Sequence, residues 1–255
     1  MVFHKLLATV TSGAVADTFT VIECSPENPR QLGQLIVIYA DGTVDGQLEA
    51  AVAGKLQDLV KTTVWSKPVT IWVEDAQGSK YRMFWDRIVK KNCAVVFGGG
   101  HISQPLVQML VLLDFEVTVI DDRPEFANRA RFPGAHQVIC EDFCQVTRNL
   151  TLDSDTAVII VTRGHRYDLD CLRAAMGSNA RYLGMIGSRK RIREIIRLVQ
   201  QEGAPAGLEK RLCAPIGLDL GAETPAEIAL SIAAEVLAVF RNGSGRPLRE
   251  RKEAF

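Results

Sequence analysis

The hydrophobic positions along the chain change rhythm near residue 90. Before it, short alternating runs dominate: Phe19 to Glu23 and Leu35 to Tyr39 read as strands, and Asp41-Gly42 is a hairpin turn signal. Between Gln47 and Val60, Leu48, Ala51, Val52, Leu56 and Leu59 fall at helical spacing. Val69 to Glu74 and Lys80 to Trp85 flank Gln77-Gly78, a second hairpin, and the polar, basic stretch Arg87 to Asn92 reads as a connector. Residues 1–90 are thus expected to form a small α+β domain.

After residue 90 the apolar runs become continuous rather than alternating. Ala94 to Phe97, Val117 to Ile120, Ala157 to Thr162, Arg181 to Ile186 and Leu212 to Ile216 read as short buried strands. Helical patterns at Pro105 to Leu113, Asp168 to Met176, Arg189 to Gln201 and Pro225 to Phe240 separate most of these strands or follow the last. Such alternation implies a parallel sheet covered on both faces, so residues 91–255 are expected to form an α/β domain of the dinucleotide-binding type. The last helix is punctuated by Thr224 as N-cap, Pro225 at the first helical position, Glu227 completing a capping box, and Gly243 past its end. The tail after Arg241 is polar and is expected to lack fixed structure.

Composition narrows the class without changing this picture. Lysine plus arginine equals aspartate plus glutamate at 30 each, so no global field favours nucleic acid. No stretch approaches the roughly 18 apolar residues of a membrane span, and the apolar run Leu6 to Val10 is too short for a signal core. The cysteines are Cys24, Cys93, Cys140, Cys144, Cys171 and Cys213, with no C-x-x-C pair among them. They read as reduced thiols of a cytoplasmic protein, and no metal site is expected. Cys140 and Cys144, four apart, would share a helical face if that segment is helical, where they could hold a metal or sulfur but are rather expected as buried structural cysteines.

The candidate chemistry sits after the strands, where open α/β sheets bind ligands. Gly98-Gly99-Gly100-His101-Ile102-Ser103 follows the first strand of the second half and opens a helix, so backbone N–H groups can approach a phosphate there. Ser103 stands where G-x-G-x-x-G has its third glycine. Asp121-Asp122-Arg123 ends the next strand, roughly 20 residues on, where an acidic side chain can bond a ribose hydroxyl. Thr162-Arg163-Gly164-His165 follows the central strand. His165 beside Asp168 is a candidate base or proton shuttle, or else a loop histidine capping its helix. Gly187-Ser188-Arg189-Lys190 brings amides and cations to a helix start, with Ser188 as N-cap or phosphate ligand. Asp219 lies in Gly217 to Gly221 after the last strand. Arg191, Arg193 and Arg197 are expected on a solvated helix face.

Read together, these loops resemble the XdhC/CoxI family of xanthine dehydrogenase accessory proteins. The matching stretches are Phe97 to Gln104, Val119 to Asn128, Arg131-Phe132-Pro133, Thr162 to His165, Met185 to Lys190 and Pro215 to Pro225. The resemblance implies a Rossmann-like C-terminal domain. It also implies a homodimer that binds molybdenum cofactor, supports its sulfuration with a cysteine desulfurase, and delivers it to an apo molybdenum hydroxylase. The phosphate of molybdopterin suits a site built from Gly98, Gly99, Gly100, His101, Ser103, Asp121, Arg123, Arg163, His165, Gly187, Ser188, Arg189, Lys190 and Asp219. One departure lies in the first half: after Asp41-Gly42, where the family has a glycine-rich run ending in cysteine and glutamate, this chain has Val44 to Glu49. A thiol that would be a soft molybdenum ligand is therefore missing.

Two other function classes fit the same loops. The glycine loop and Asp121 suit an NAD(P)-dependent oxidoreductase, and a nucleotide-binding regulatory module without catalysis needs only the cradle. No acid/base set beyond His165 is tied to a hydride acceptor, which sets the cofactor chaperone ahead of an enzyme with turnover of its own.

Overall fold

A computed structural model describes residues 5–9, 14–26, 29–46, 50–63, 67–88, 90–146, 150–163 and 165–250, the side chains of 29, 50, 51, 165 and 166 excepted. The chain divides into two compact units, Met1–Lys90 and Lys91–Phe255.

The first unit holds strands β1 (Ala16–Cys24), β2 (Leu35–Tyr39), β3 (Val44–Asp45), β4 (Val69–Glu74) and β5 (Lys80–Ile88), with helix α1 (Ala50–Thr62) between β3 and β4. The strands form one antiparallel sheet in the order β3-β2-β1-β5-β4. Alternation decides which face is buried: Tyr81, Met83 and Trp85 of β5 point inward with Phe19 and Val21 of β1, and Val52 and Leu56 of α1 share their core. The rings of Phe19 and Trp85 stack with centroids 5.3 Å apart. Both hairpin turns form, with Gly42 and Gly78 at positive φ. The connector expected at Arg87 to Asn92 starts later, because β5 continues to Ile88. Arg87 still pairs across β1 with Asp17, whose carboxylate accepts 2.7 Å hydrogen bonds from both Trp85 Nε1 and Arg87 Nε.

The second unit holds strands β6 (Cys93–Phe97), β7 (Glu116–Asp121), β8 (Gln137–Cys140), β9 (Thr156–Ile160), β10 (Tyr182–Met185) and β11 (Leu212–Cys213). Its helices are α2 (Ser103–Leu112), α3 (Phe143–Val146), α4 (His165–Ala175), α5 (Arg189–Gln201), α6 (Leu208–Arg211) and α7 (Pro225–Arg241). All pairings are parallel, in the order β11-β10-β9-β6-β7-β8. Renumbered from β6, that is the 3-2-1-4-5-6 order of the doubly wound Rossmann sheet, and the direction of winding reverses between β6 and β9. The central strands β6, β9 and β10 are almost wholly apolar and buried because both faces are covered. Ala94 and Val96 pack with Leu106 and Leu110 of α2 and Ile232 and Val236 of α7. Val95 and Phe97 face the opposite layer, with Leu172 of α4 and Ile192 and Ile195 of α5.

Two sequence expectations change here. Cys140 ends the edge strand β8 and Cys144 lies in the short helix α3, so they do not share one helix face; both thiols are exposed. The last strand stops at Cys213 rather than Ile216. The capping box of α7 forms as its spacing predicts, with Thr224 accepting from the Glu227 N–H and Glu227 accepting from the Thr224 N–H. The tail is described as far as residue 250 and includes a 3-10 turn at Leu248–Glu250. Among the described residues no helix is long and apolar enough to cross a membrane.

Candidate functional site

Parallel strands put every β-to-α loop at one edge. The loops after β6, β7, β9, β10 and β11 therefore line the carboxyl edge of the sheet, and the glycine loop and the loop after β9 meet at the crevice where the winding reverses.

The three consecutive glycines have different jobs. Gly98 has φ +106°, and a Cβ there would lie 2.6 Å from the Val161 carbonyl oxygen, so glycine lets the loop cross beside the end of β9. At Gly99 a Cβ would lie 2.6 Å from the Phe126 carbonyl oxygen. At Gly100 a Cβ would meet nothing within 4 Å. The fold thus accounts for the first two glycines and leaves the third facing open space. The helix that follows has Ile102 at its N-cap with no side-chain acceptor, so its first amides are not capped by a neighbouring side chain. His101 is exposed beside them. Ser103, in the place of the third motif glycine, is buried, and its hydroxyl donates to the Gly98 carbonyl at 2.5 Å. That hydroxyl tightens the loop instead of reaching a ligand.

Asp121 is committed to the protein. Its carboxylate accepts the Gly99 N–H at 2.8 Å, the Arg123 N–H at 3.1 Å, and a two-pronged guanidinium contact, Nε at 2.8 Å and Nη2 at 2.9 Å. Burial pushes this carboxyl up, but the hydrogen bonds from Arg123 and Gly99 and the guanidinium charge outweigh it and hold the group below the usual carboxylate range. Asp121 thereby pins the glycine loop, and a ribose hydroxyl would have to compete with Arg123 for the same oxygens. The Arg123 guanidinium also lies 3.7 Å from the centroid of the Phe126 ring. Arg131 approaches the same ring at 5.1 Å and donates to the Gly99 carbonyl at 3.2 Å. Arg131 and Phe126 were not legible as site residues; the only sequence signal was their place in the matching stretches.

The second half of the edge is cationic. Arg163, Ser188, Arg189 and Lys190 are exposed after β9 and β10. Gly187 precedes the start of α5, whose first turn is capped by Ser188 accepting the Arg191 N–H at 3.3 Å. The side chain of His165 lies outside the described residues, so its pairing with Asp168 does too. Asp168 itself is fully buried and accepts from Thr162 Oγ1 and from the Arg191 guanidinium. Arg191 therefore does not join the solvated face expected for it, whereas Arg193 and Arg197 are exposed. The reason is position: three residues after the cap, Arg191 lies one turn before Ile195 on the buried side of α5.

Asp219 lines an open cavity of about 380 Å³ together with Arg189 and residues 215–218. Another cavity, of about 370 Å³, lies beside the end of α5 and the short helix α6, at the amino edge and away from these loops. Among the described residues no three or more His, Cys, Asp or Glu side chains are grouped to hold a metal ion.

Comparison with known proteins places this edge within a family. The model described as the XdhC Rossmann domain matches residues 94–236. The Escherichia coli protein YqeB, described as uncharacterized, is 32% identical over 249 residues, covering 88% of this chain and 43% of the relative. A Bacillus subtilis protein described as a probable subunit of xanthine dehydrogenase is 30% identical over 155 residues, 61% of this chain and 45% of the relative. The chain thus spans less than half the length of these curated relatives. A crystal structure described as a xanthine dehydrogenase from Bacillus halodurans superposes with a TM-score of 0.67 at 22% identity, over 93% of this chain and 66% of that one, a likeness of fold.

Proposed function

The chain belongs to the XdhC family, and from that membership we propose that it serves as an accessory factor of a xanthine-dehydrogenase-type system, binding molybdenum cofactor by its phosphate at the carboxyl edge of the Rossmann sheet. In this reading the factor supports sulfuration of the cofactor, with a cysteine desulfurase as sulfur source, and passes it to the apo molybdenum hydroxylase. It works as a homodimer.

One observation carries the proposal: Gly100 faces open space just before the uncapped start of α2, although the fold makes no demand for glycine there. A phosphate accepted from the first amides of α2 gains from the helix dipole, and the Arg163 and Arg189-Lys190 loops add positive charge at the same edge. The residues present therefore suit the phosphate of the cofactor. The cofactor, when bound, supplies the molybdenum centre used by the client enzyme. The chain's own part is to hold the phosphate, shield the ring and release both. The commitment of Asp121 to Arg123 weighs against the NAD(P) reading, in which that carboxylate takes a ribose hydroxyl.

Delivery is tested by reconstitution. Apo-hydroxylase mixed with cofactor and this protein should regain activity several-fold faster than with cofactor alone. Equal rates with and without the protein would refute delivery.

A further inference from the structure

The cavity after β11 contains two charged groups that the fold leaves unspent. Asp219 and Arg189, both exposed, line it, and neither side chain makes a hydrogen bond or ion pair with the other or with any other described residue. The loop bearing Asp219 is nevertheless held firmly. The Ile216 N–H donates to the Met185 carbonyl at 3.1 Å, the Gly217 N–H to Glu235 Oε2 at 2.8 Å, and the Leu218 N–H to the Ser231 carbonyl at 3.2 Å. Ser231 Oγ returns a 2.5 Å bond to the Leu218 carbonyl, and the hydroxyl of Tyr182, a buried residue of β10, donates to the same Glu235 oxygen at 2.5 Å. Three successive residues are tied to β10 and α7, and the next one carries a carboxylate with no side-chain partner among the described residues. Ile216, Leu218, Leu220 and Ile228 supply apolar lining around it.

A carboxylate accepts only and a guanidinium donates only. Set in one partly apolar cavity without pairing to each other, they are complementary to a flat heterocycle with a donor edge on one side and an acceptor edge on the other. We infer that this cavity is the ring subsite of the cofactor site. Asp219 accepts from the 2-amino group and the adjacent ring N–H of a 2-amino-4-oxopteridine, and Arg189 donates to its 4-oxo oxygen. This deepens the cofactor reading given above and rests on it. The β6 and β11 loops are three strands apart, roughly 14 Å at about 4.8 Å per strand, the span a cofactor held by its phosphate at one loop and its ring at the other would have to cover.

The probes are 6-hydroxymethylpterin and 6-hydroxymethyllumazine, which lack phosphate and metal and differ in the 2-amino group that lumazine replaces by oxygen. Titrated into the full chain by fluorescence, the pterin should bind at least tenfold tighter than the lumazine. Asp219→Asn should weaken the pterin at least tenfold and remove the discrimination, with an unchanged melting temperature. Arg189→Gln should weaken both probes alike. Equal binding of the two probes, no binding of the pterin up to millimolar concentration, or an unaltered pterin affinity in Asp219→Asn would each overturn the assignment. Delivery is read separately: a protein that restores the apo-hydroxylase but ignores the 2-amino group loses this subsite alone, and one that discriminates the rings but restores nothing loses delivery alone.

Discussion

Replacing Asp168 with alanine is expected to destabilise the Rossmann unit by about 3–5 kcal/mol, because removing one partner of a buried ion pair leaves the other charge uncompensated. Asp168 is fully buried, and its carboxylate joins Thr162 of the β9 loop to Arg191 of α5. The Arg191 Nε is already buried without a hydrogen-bond partner among the described residues. For a unit of this size the loss corresponds to a fall in melting temperature of roughly 6–20 °C. The double variant Asp168→Leu with Arg191→Met removes both charges and keeps the volume, and it should recover most of the loss. A fall of under about 1 kcal/mol for the single variant would mean the pair is solvated and unimportant.

Gly100→Val should separate ligand binding from folding. The added side chain projects into open space, so the melting temperature should stay within the change expected of a surface substitution, about 0.5 kcal/mol. The same side chain would occupy the space a phosphate needs in order to reach the amides at the start of α2. Retention of cofactor should fall at least tenfold, about 1.4 kcal/mol. Gly98→Val is the counterpart: its Cβ would overlap the Val161 carbonyl at a positive φ, so it should lower stability whatever is bound. Loss of stability in Gly100→Val, or unchanged cofactor retention in it, would remove the glycine loop from the site.

What the sequence revealed and what it hid follow from burial and range. The strands β6, β9 and β10 were legible because layers on both faces demand continuous apolar runs. The edge strand β8 is four residues long and half exposed, so its segment carries no such run, and it was missed. The glycine loop could be placed from its position between a strand and a helix, but the different demands on Gly98, Gly99 and Gly100 depend on Val161 and Phe126, distant in sequence. The motif located Asp121 and could not show that Arg123 folds back onto its carboxylate. Arg191 looked like one more cation of a basic helix, and only the partner 23 positions away shows otherwise. Glu235 and Tyr182, which fix the Asp219 loop, carry no local signal at all.

If the carboxyl edge of the Rossmann sheet holds a pterin phosphate, protein purified from a host that makes molybdenum cofactor should carry the cofactor with it. After denaturation, oxidised extracts should show fluorescent pterin close to one equivalent per chain, with nicotinamide near background. Protein that binds NADH tightly and carries neither pterin nor molybdenum would contradict the account and establish the dinucleotide reading in its place.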